Sequence, residues 1–449
     1  MYKFQIMTTT KIHKGWIWLF IVGFVGGYFF HRFISKQIEF VIYDNGHLVI
    51  QDYAYHIIIT KAFWFDGFGN IYDVTFQQKA LSSYVGSHIN TVMPLGITPL
   101  ALFIWFPFAY VARFNMALSY TFWTFFSIAT LLVGLWNLAR HVLESNKMDL
   151  LSALFLLTVL FSALTCLAVY IGQTSIIATG LLICLICHVH KNSEGSKQRN
   201  RIFIPILIFL MGIKPPYIAI GLGLLAIYGM WLQILISLVA VGIALVLATP
   251  MLTFDWVPSY LGLLRMYSIG EIPDVYAWSI KPHTMNIFRS AFRPFFADKV
   301  LSLISSFVIY SVYICVVGFS ILTQKRYIIS ERFTSFRLSK GFLFVLLIGS
   351  YLLFAPYANV YEDVLLIVIF ATVIIYGKCT RLLNYKSLVL FIILNSILYH
   401  KFFPQDKPLW LFWVFKAVII VYTINCCRFQ DNIKESSGKP YDDGMSTPK

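Results

Sequence analysis

Long apolar segments alternate with short polar ones along most of the chain. They lie near positions 15–34, 92–112, 115–138, 149–171, 173–190, 202–229, 231–252, 300–322, 341–356, 360–377, 386–403 and 409–427. Many approach about 20 residues, the length at which a helix crosses the hydrocarbon core of a bilayer. The pattern predicts an all-α polytopic membrane protein in which residues 1–427 form a single bundle of about 11–13 transmembrane helices. Residues 428–449 are polar and without periodicity, so we expect a disordered tail.

Composition and charge agree with a membrane protein. Of the 449 residues 59% are hydrophobic and only 12% are charged, and the mean hydropathy is +0.74. The net charge of +15 comes mostly from short segments such as 191–201, 325–340 and 378–386. Basic loops of this kind stay on the cytoplasmic side of a membrane, so the charge indicates orientation and not a nucleic-acid partner. We expect a cytoplasmic N-terminus, followed by an uncleaved helix at 15–34.

The basic loops share one side only if two apolar segments are not simple crossings. Segment 92–112 contains Pro94, Pro99 and Pro107, each of which removes a backbone donor, so a broken or re-entrant helix is favoured. Segment 202–229 is long for one span, and Pro215 and Pro216 divide it, which predicts two short helices with a turn between them. Both long polar loops, 35–91 and 253–299, then lie on the outer face.

Loop 35–91 carries three aspartates among aromatic residues, within "QDYAYHIIITKAFWFDGFGNIYD". Mixed helical spacing predicts a helix lying in the membrane interface. Asp52 sits where a carboxylate can act as general base on a hydroxyl at headgroup level, although an interfacial cap with incidental acids also fits. Asp66 and Asp73 lie in turn-like contexts and are expected to be structural, and Asp44 in "YDNG" indicates a turn.

Two further polar residues interrupt apolar segments. Lys214 lies 13 residues beyond Arg201, which places it about 20 Å into a hydrocarbon core of about 30 Å. An intramembrane charge suggests a functional site, whereas a lysine at a helix end also snorkels to the surface. Gln173 in "YIGQTS" reaches the same face, and a plain polar helix junction is the alternative.

Loop 253–299 adds a basic cluster on the face where cytoplasmic charge bias does not explain it. Its members are Lys281, His283, Asn286, Arg289 and Arg293. Such a cluster can bind phosphate, or simply face lipid headgroups. In a later stretch, "APYANVYEDV", the residues Asn359, Glu362 and Asp363 are expected to begin a helix on the outer side, where helix capping explains them.

The order of these motifs resembles a known family. Asp52-Tyr53 after the first helix is followed by Gly67 and by "IYD" at 71–73, then "MPLGITPLALFIWFPFAYV", "GQTS" at 172–175 and "GIKPP" at 212–216. Together they resemble the polyprenol-phosphate-dependent GT-C glycosyltransferases, in particular glycosyltransferase family 87. The sequence departs from the family in having His56 where the second aromatic of a tyrosine pair is usual, and in lacking a Tyr-Pro-Pro start to the proline-rich stretch.

The resemblance implies a GT-C-like bundle with interfacial helices in the first outer loop and a donor that is a lipid-phosphate sugar, commonly mannose. Asp52 would be the general base of one inverting transfer to a hydroxyl of a glycan or glycolipid acceptor. Lys214, His283 and Arg289 would bind the donor phosphate, and Tyr53, Gln173 and Tyr72 the substrate. A transporter or flippase of lipid-linked sugars remains an alternative, as does a structural membrane subunit.

Partners and location follow from the same argument. We expect a lipid bilayer, a polyprenyl-phosphate sugar and a carbohydrate acceptor, with no nucleic acid. The sequence has no carboxylate cluster with metal-ligand spacing, which favours chemistry without a metal or other cofactor. The expected location is a multi-pass position in a bacterial inner membrane.

Overall fold

The computed structural model describes residues 41–44, 47–50, 52–67, 69–90, 92, 95–144, 165, 168, 172–193, 202–269, 287–324, 339–355, 365–376 and 409–428. Two strands open this part of the chain, β1 (Val41–Asp44) and β2 (His47–Ile50). The helices are α1 (Asp52–Lys61), α2 (Val74–Val85), α3 (Leu100–Ala112), α4 (Met116–Glu144), α5 (Ser175–Ser193), α6 (Phe203–Leu210), α7 (Pro215–Ile227), α8 (Trp231–Leu252), α9 (Trp256–Ile269), α10 (Ile287–Phe292), α11 (Asp298–Gln324), α12 (Lys340–Phe354), α13 (Leu366–Tyr376) and α14 (Leu409–Arg428). A π-helical turn, Ala62–Asp66, extends α1, and a 3-10 turn, Met211–Ile213, follows α6.

The protein is a helical membrane protein. Within the described residues three stretches are long and apolar enough to cross a bilayer: Met116–Arg140, Trp231–Leu252 and Lys299–Leu322. Large apolar side chains on two of them point away from the protein, including Val246, which is 71% exposed, and Phe307, which is 70% exposed. Apolar surface of this extent is stable against lipid and not against water.

Most predicted apolar segments are helices at the expected positions. Segment 231–252 coincides with α8, 115–138 with most of α4, 173–190 with α5, and 409–427 with α14. The segments at 15–34 and 386–403, nearly all of 149–171, and the tail beyond Arg428 lie outside the described residues.

A β-hairpin is the one departure from the expected all-α fold among these residues. β1 and β2 pair antiparallel, with Val41 opposite Ile50 and Asp44 opposite His47. The turn predicted at Asp44 is confirmed, because the two strands meet there. Four residues a side are too few for alternation to stand out in sequence, and the strands were therefore not predicted.

Contacts between helix ends define one end of the bundle, called the basic end because these helix ends flank the basic segments 191–201 and 325–340 in the sequence. Four pairs of residues meet there: His188 with Phe203, His190 with Tyr376, Gly341 with Tyr376, and the ammonium of Lys340 4.5 Å from the ring centre of Tyr228. Both α6 and α7 have an end in this group, so they form a hairpin whose turn is at Lys214. The predicted division of segment 202–229 is confirmed.

The opposite end of the bundle, where α5 begins, is called the Asp52 end. Helix α3 stays at this end throughout. It starts beside the Lys214 turn, where the backbone N–H of Thr98 donates to Ile213 O at 3.1 Å, and it finishes just before α4. There the Ser119 hydroxyl donates to Phe108 O at 2.6 Å. Segment 92–112 therefore does not run between the two ends, in agreement with the broken or re-entrant helix that its prolines predicted.

Helices α4 and α5 pack closely because glycines face each other. A Cβ atom added at Gly134 would lie 2.6 Å from the carbonyl oxygen of Gly180, and one added at Gly180 would collide with the carbonyl of Thr130. Small residues let membrane helices approach until their backbones touch. This contact fixes α5, and with it the segment that immediately precedes α5, against α4.

Candidate functional site

Asp52 is the first residue of α1 and its side chain is partly exposed. An acidic residue in the first turn interacts favourably with the positive end of the helix dipole, and Asp52 occupies that position. The rest of the helix is largely buried, including Tyr53, Ile57 and Ile59 at about zero exposure. Asp52 is therefore held at the edge of a rigid element.

Gln173 reaches Asp52 from a tight turn before α5. Gly172 in this turn has a φ of +74°, which glycine adopts at little cost. A Cβ atom at Gly172 would also collide with the side chain of Tyr53. The Gly172 carbonyl accepts a hydrogen bond from the Trp123 indole at 3.1 Å, and the Gln173 N–H donates to Ala168 O at 2.8 Å. Gln173 is only 3% exposed.

Lys214 lies at the turn between α6 and α7. Its backbone is extended, with φ −129° and ψ 139°, as expected for a residue that precedes proline. Pro215 then starts α7 with the φ that a first helical turn requires. The Lys214 side chain is partly exposed and its ammonium is 5.9 Å from the ring centre of Tyr217.

These three residues form one hydrogen-bonded chain. The Gln173 amide nitrogen Nε2 donates to Asp52 Oδ2, and the Lys214 ammonium donates to Gln173 Oε1 at 3.3 Å. Chemistry determines the direction of the amide, because its NH₂ faces a carboxylate and its oxygen faces an ammonium. The structure thus brings together residues that are 121 and 41 positions apart in the sequence.

Tyr53, predicted to bind substrate, has its side chain in the protein interior. Its hydroxyl bonds to Ser119 Oγ. Because Ser119 donates its own proton to Phe108 O, Tyr53 is the donor. Its ring packs against Trp105 and Tyr120, with centres 5.7 and 5.1 Å apart, and burial raises the pKa of its hydroxyl. These contacts attach α1 to α3 and α4. A substrate contact would require the Tyr53 side chain to move.

Loop 35–91 and loop 253–299 meet at Tyr72 and Asn70. Tyr72 packs against Tyr260 of α9 with ring centres 4.8 Å apart, and its hydroxyl donates to Ile97 O at 3.0 Å. Asn70 Nδ2 lies 2.9 Å from Ser259 Oγ and 3.3 Å from Asp255 Oδ2. Hydrogen bonds from Thr253 and then Asn70 lower the pKa of Asp255. Tyr72 is buried and joins the loops, so the structure gives it a packing role.

His56 belongs to the same surroundings, although the sequence singled it out only as a departure from a family pattern. It is partly exposed, its ring centre is 5.4 Å from that of Trp105, and Nδ1 has no hydrogen-bond partner among the described residues. Burial and then the charge of Lys214 lower its pKa from 6.5 to about 3. The spacing of four residues from Asp52 is the sequence signal that points to His56.

The other predicted residues lie apart from this chain or outside the described part. Asp73 caps α2 by accepting a hydrogen bond from Thr75 N at 3.1 Å, and Asp66 is exposed at the end of the π-helical turn, so both are structural or peripheral as expected. His283 and the stretch from Asn359 to Asp363 lie outside the described residues. For Arg289 only the backbone, in α10, is described.

Within the described residues no group of three or more His, Cys, Asp or Glu side chains is placed to hold a metal ion. The arrangement consists instead of a carboxylate, an amide, an ammonium and a neutral imidazole at the junction of short helices. Comparison with known proteins gives no match to a family model, to a curated protein or to a solved structure.

Proposed function

We propose that the protein is an integral membrane glycosyltransferase that moves a hexose from a polyprenyl-phosphate carrier to a hydroxyl acceptor. The hexose that we expect is mannose. The observation that carries the proposal is the chain from Asp52 through Gln173 to Lys214. It sets a potential base and a cation on either side of one amide, at the bundle end away from the basic loops. The fold would be a GT-C-like bundle of about 11–13 transmembrane helices, the number that the apolar segments predict.

The reaction would be a single displacement. The acceptor oxygen attacks the anomeric carbon and gives its proton to Asp52 Oδ, while the bond from that carbon to the phosphate oxygen breaks. The electron pair of the broken bond leaves with polyprenyl phosphate, and the configuration at the anomeric carbon inverts. Base catalysis by a positioned side chain contributes about 10²–10⁴-fold. Gln173 would orient the carboxylate through the hydrogen bond to Oδ2.

Lys214 would stabilise the leaving group. Negative charge grows on the phosphate oxygen as the bond breaks, and a fixed ammonium acts most strongly where water is scarce. His283 and Arg289 of the second outer loop remain predicted to assist it. Because Asn70 and Tyr72 tie the first loop to α9, movement of the second loop would be transmitted to the first.

A transporter or flippase of lipid-linked sugars is the second candidate. The observation in its favour is the interrupted pair α6 and α7, with Lys214 at the break, since transporters build substrate sites from such discontinuous helices. The two functions differ in their product. A transporter moves the lipid-linked sugar unchanged, whereas a transferase makes a new glycosidic bond.

The test is transfer of radiolabelled sugar from synthetic polyprenyl-phosphate mannose to candidate acceptors by purified protein in detergent. Asp52→Asn keeps the size and the hydrogen-bonding shape of the side chain but removes the base. We expect its turnover to fall by about 10²-fold or more. Asp66→Asn is the matched control, because Asp66 is an exposed aspartate 14 positions along the same stretch, and it should transfer at the wild-type rate.

Equal turnover by wild type and Asp52→Asn would exclude Asp52 as the base. Movement of the labelled lipid across proteoliposomes, with no glycosidic product in any acceptor reaction, would favour the transporter. A parallel Lys214→Gln variant should raise the KM for the donor more than Lys214→Arg does, because only the arginine retains a cation for the phosphate.

A further inference from the structure

His56 lies one helical turn after Asp52 on α1, so the two side chains share a helix face. Its imidazole is partly exposed and packs beside Trp105, with ring centres 5.4 Å apart. The Lys214 charge acts on the same imidazole. His56 is therefore a neighbour of both charged residues of the proposed site, although the proposed reaction gives it no part.

Two polar atoms on these contacting rings are buried and have no hydrogen-bond partner among the described residues: His56 Nδ1 and Trp105 Nε1. Buried polar atoms in folded proteins nearly always have a partner, so each exception needs an explanation. The indole nitrogen can only donate, and an imidazole nitrogen without a proton accepts. Each atom is therefore complementary to a hydroxyl group, and His56 is the partly exposed member of the pair, whereas Trp105 is fully buried.

The charge state of His56 distinguishes between possible ligand groups. A phosphate would be bound best by a protonated imidazole, but burial and Lys214 keep this ring neutral. A neutral imidazole matches a hydroxyl, which is itself both donor and acceptor. Lys214 provides the cation for a phosphate, and the group attached next to that phosphate in a lipid-phosphate sugar is the sugar.

We propose that His56, with Trp105 beside it, forms a hydroxyl-binding subsite of the Asp52 site that holds one hydroxyl of the donor sugar. This inference rests on the proposed function, because it takes the ligand to be a lipid-phosphate sugar. It adds that the site recognises the sugar and not only the lipid phosphate, and it assigns the recognition to His56. His56 would then determine which hexose is used.

Binding tests the subsite independently of turnover. Tryptophan fluorescence of the purified full-length protein is titrated with short-chain polyprenyl phosphate, with and without attached mannose. We expect His56→Phe, which keeps a ring but no nitrogen, to bind the mannose-bearing lipid about tenfold more weakly. A loss of this size corresponds to the free energy of one hydrogen bond. The affinity of His56→Phe for the sugar-free lipid should not change. His56→Asn, with an amide near the Nδ1 position, should recover part of the loss.

His88→Phe is the matched control, an identical replacement at an exposed histidine of the same loop, and should bind both lipids as wild type does. The inference is overturned if His56→Phe binds both lipids with wild-type affinity. It is also overturned if His56→Phe binds both lipids more weakly by the same factor, because a general packing defect, or pairing of His56 with Trp105, would have that effect. It is also overturned if wild type does not prefer the mannose-bearing lipid or any other hexosyl lipid tried in its place.

Failure of the proposed function gives a different result. If wild type binds the sugar-bearing lipid through His56 but forms no glycosidic product, the transferase is excluded while the subsite stands. Where transfer does occur, a set of mono-deoxy donors adds a second readout. Removing one hydroxyl should lower kcat/KM about tenfold in wild type and leave it unchanged in His56→Phe, because the two changes remove the same contact.

Discussion

At the scale of single residues, Gln173 is the residue that links the two charged groups of the site. It separates a carboxylate from an ammonium while bonding to both. The amide bonds to both charged groups and so helps to fix the position of each, which suits a reaction in which a base and a cation act on different atoms.

Replacement of Gln173 should therefore disable the site without removing either charge. We expect Gln173→Leu, which keeps the volume but not the polar atoms, to lower the transfer rate about 10- to 100-fold, because a base that is no longer oriented loses part of its advantage. Gln78→Leu is the control, because Gln78 lies on α2 and donates to Asn90 O, outside the site. A rate unchanged in Gln173→Leu would show that Asp52 needs no orienting partner.

Much of the site was predictable residue by residue. Asp52, Gln173 and Lys214 each stood out as polar groups at the ends of apolar segments, and the structure brings all three together. Tyr53 and Tyr72 were expected at the substrate, but aromatic residues at an interface are as well suited to packing. A single sequence does not show which way a ring points, and both rings point inward.

At the scale of elements, the close contact between α4 and α5 depends on two glycines. Gly134 and Gly180 let α4 and α5 touch through their backbones, and Gln173 lies in the turn that leads into α5. The helices were predictable from their apolar length. The pairing was not, because isolated glycines are common in membrane helices and their partners are far away in the sequence.

A methyl group at this contact should weaken the bundle. We expect Gly180→Ala to reduce stability in detergent by about 1–3 kcal/mol, because the added carbon overlaps a backbone carbonyl that cannot move aside. Gly318→Ala in α11 is the control, since a Cβ atom there meets nothing within 4 Å. It should be neutral or slightly stabilising, because alanine favours a helix over glycine by about 0.5–1 kcal/mol. Thermal unfolding followed by light scattering measures both, and equal behaviour would contradict the close contact.

At the scale of the whole molecule, the outward apolar faces of α8 and α11 imply a surface wrapped by lipid. Positions two apart on α11 illustrate it: Phe307 is 70% exposed, whereas Ser305 is completely buried. The long apolar segments of the sequence predicted this membrane character, and the three apolar helices that are long enough to cross a bilayer agree with it. The sequence did not determine which faces touch lipid, because the apolar helices carry apolar residues on both lipid-facing and interior sides.

Spin labels can check this assignment. With the native cysteines replaced, a nitroxide attached at Phe307→Cys should collide readily with molecular oxygen, which concentrates in the bilayer interior. The same label at Ser305→Cys should be shielded by the neighbouring helices. Equal accessibility to oxygen, measured by power-saturation electron paramagnetic resonance in proteoliposomes, would mean that α11 faces the protein and the lipid differently from the structure described above.

The short reach of the α6–α7 hairpin has a consequence for how a substrate enters. From Phe203 to Ile213 the first arm rises about 16 Å at 1.5 Å per residue, roughly half the thickness of a hydrocarbon core of about 30 Å. Above the turn lie α1 and α3, and α3 does not run between the two ends of the bundle. Access to the turn from that side would require separating these two short helices from their neighbours. For the proposed lipid-linked donor, the tail would then enter sideways from the surrounding leaflet, with the long helices α4, α8 and α11 in place.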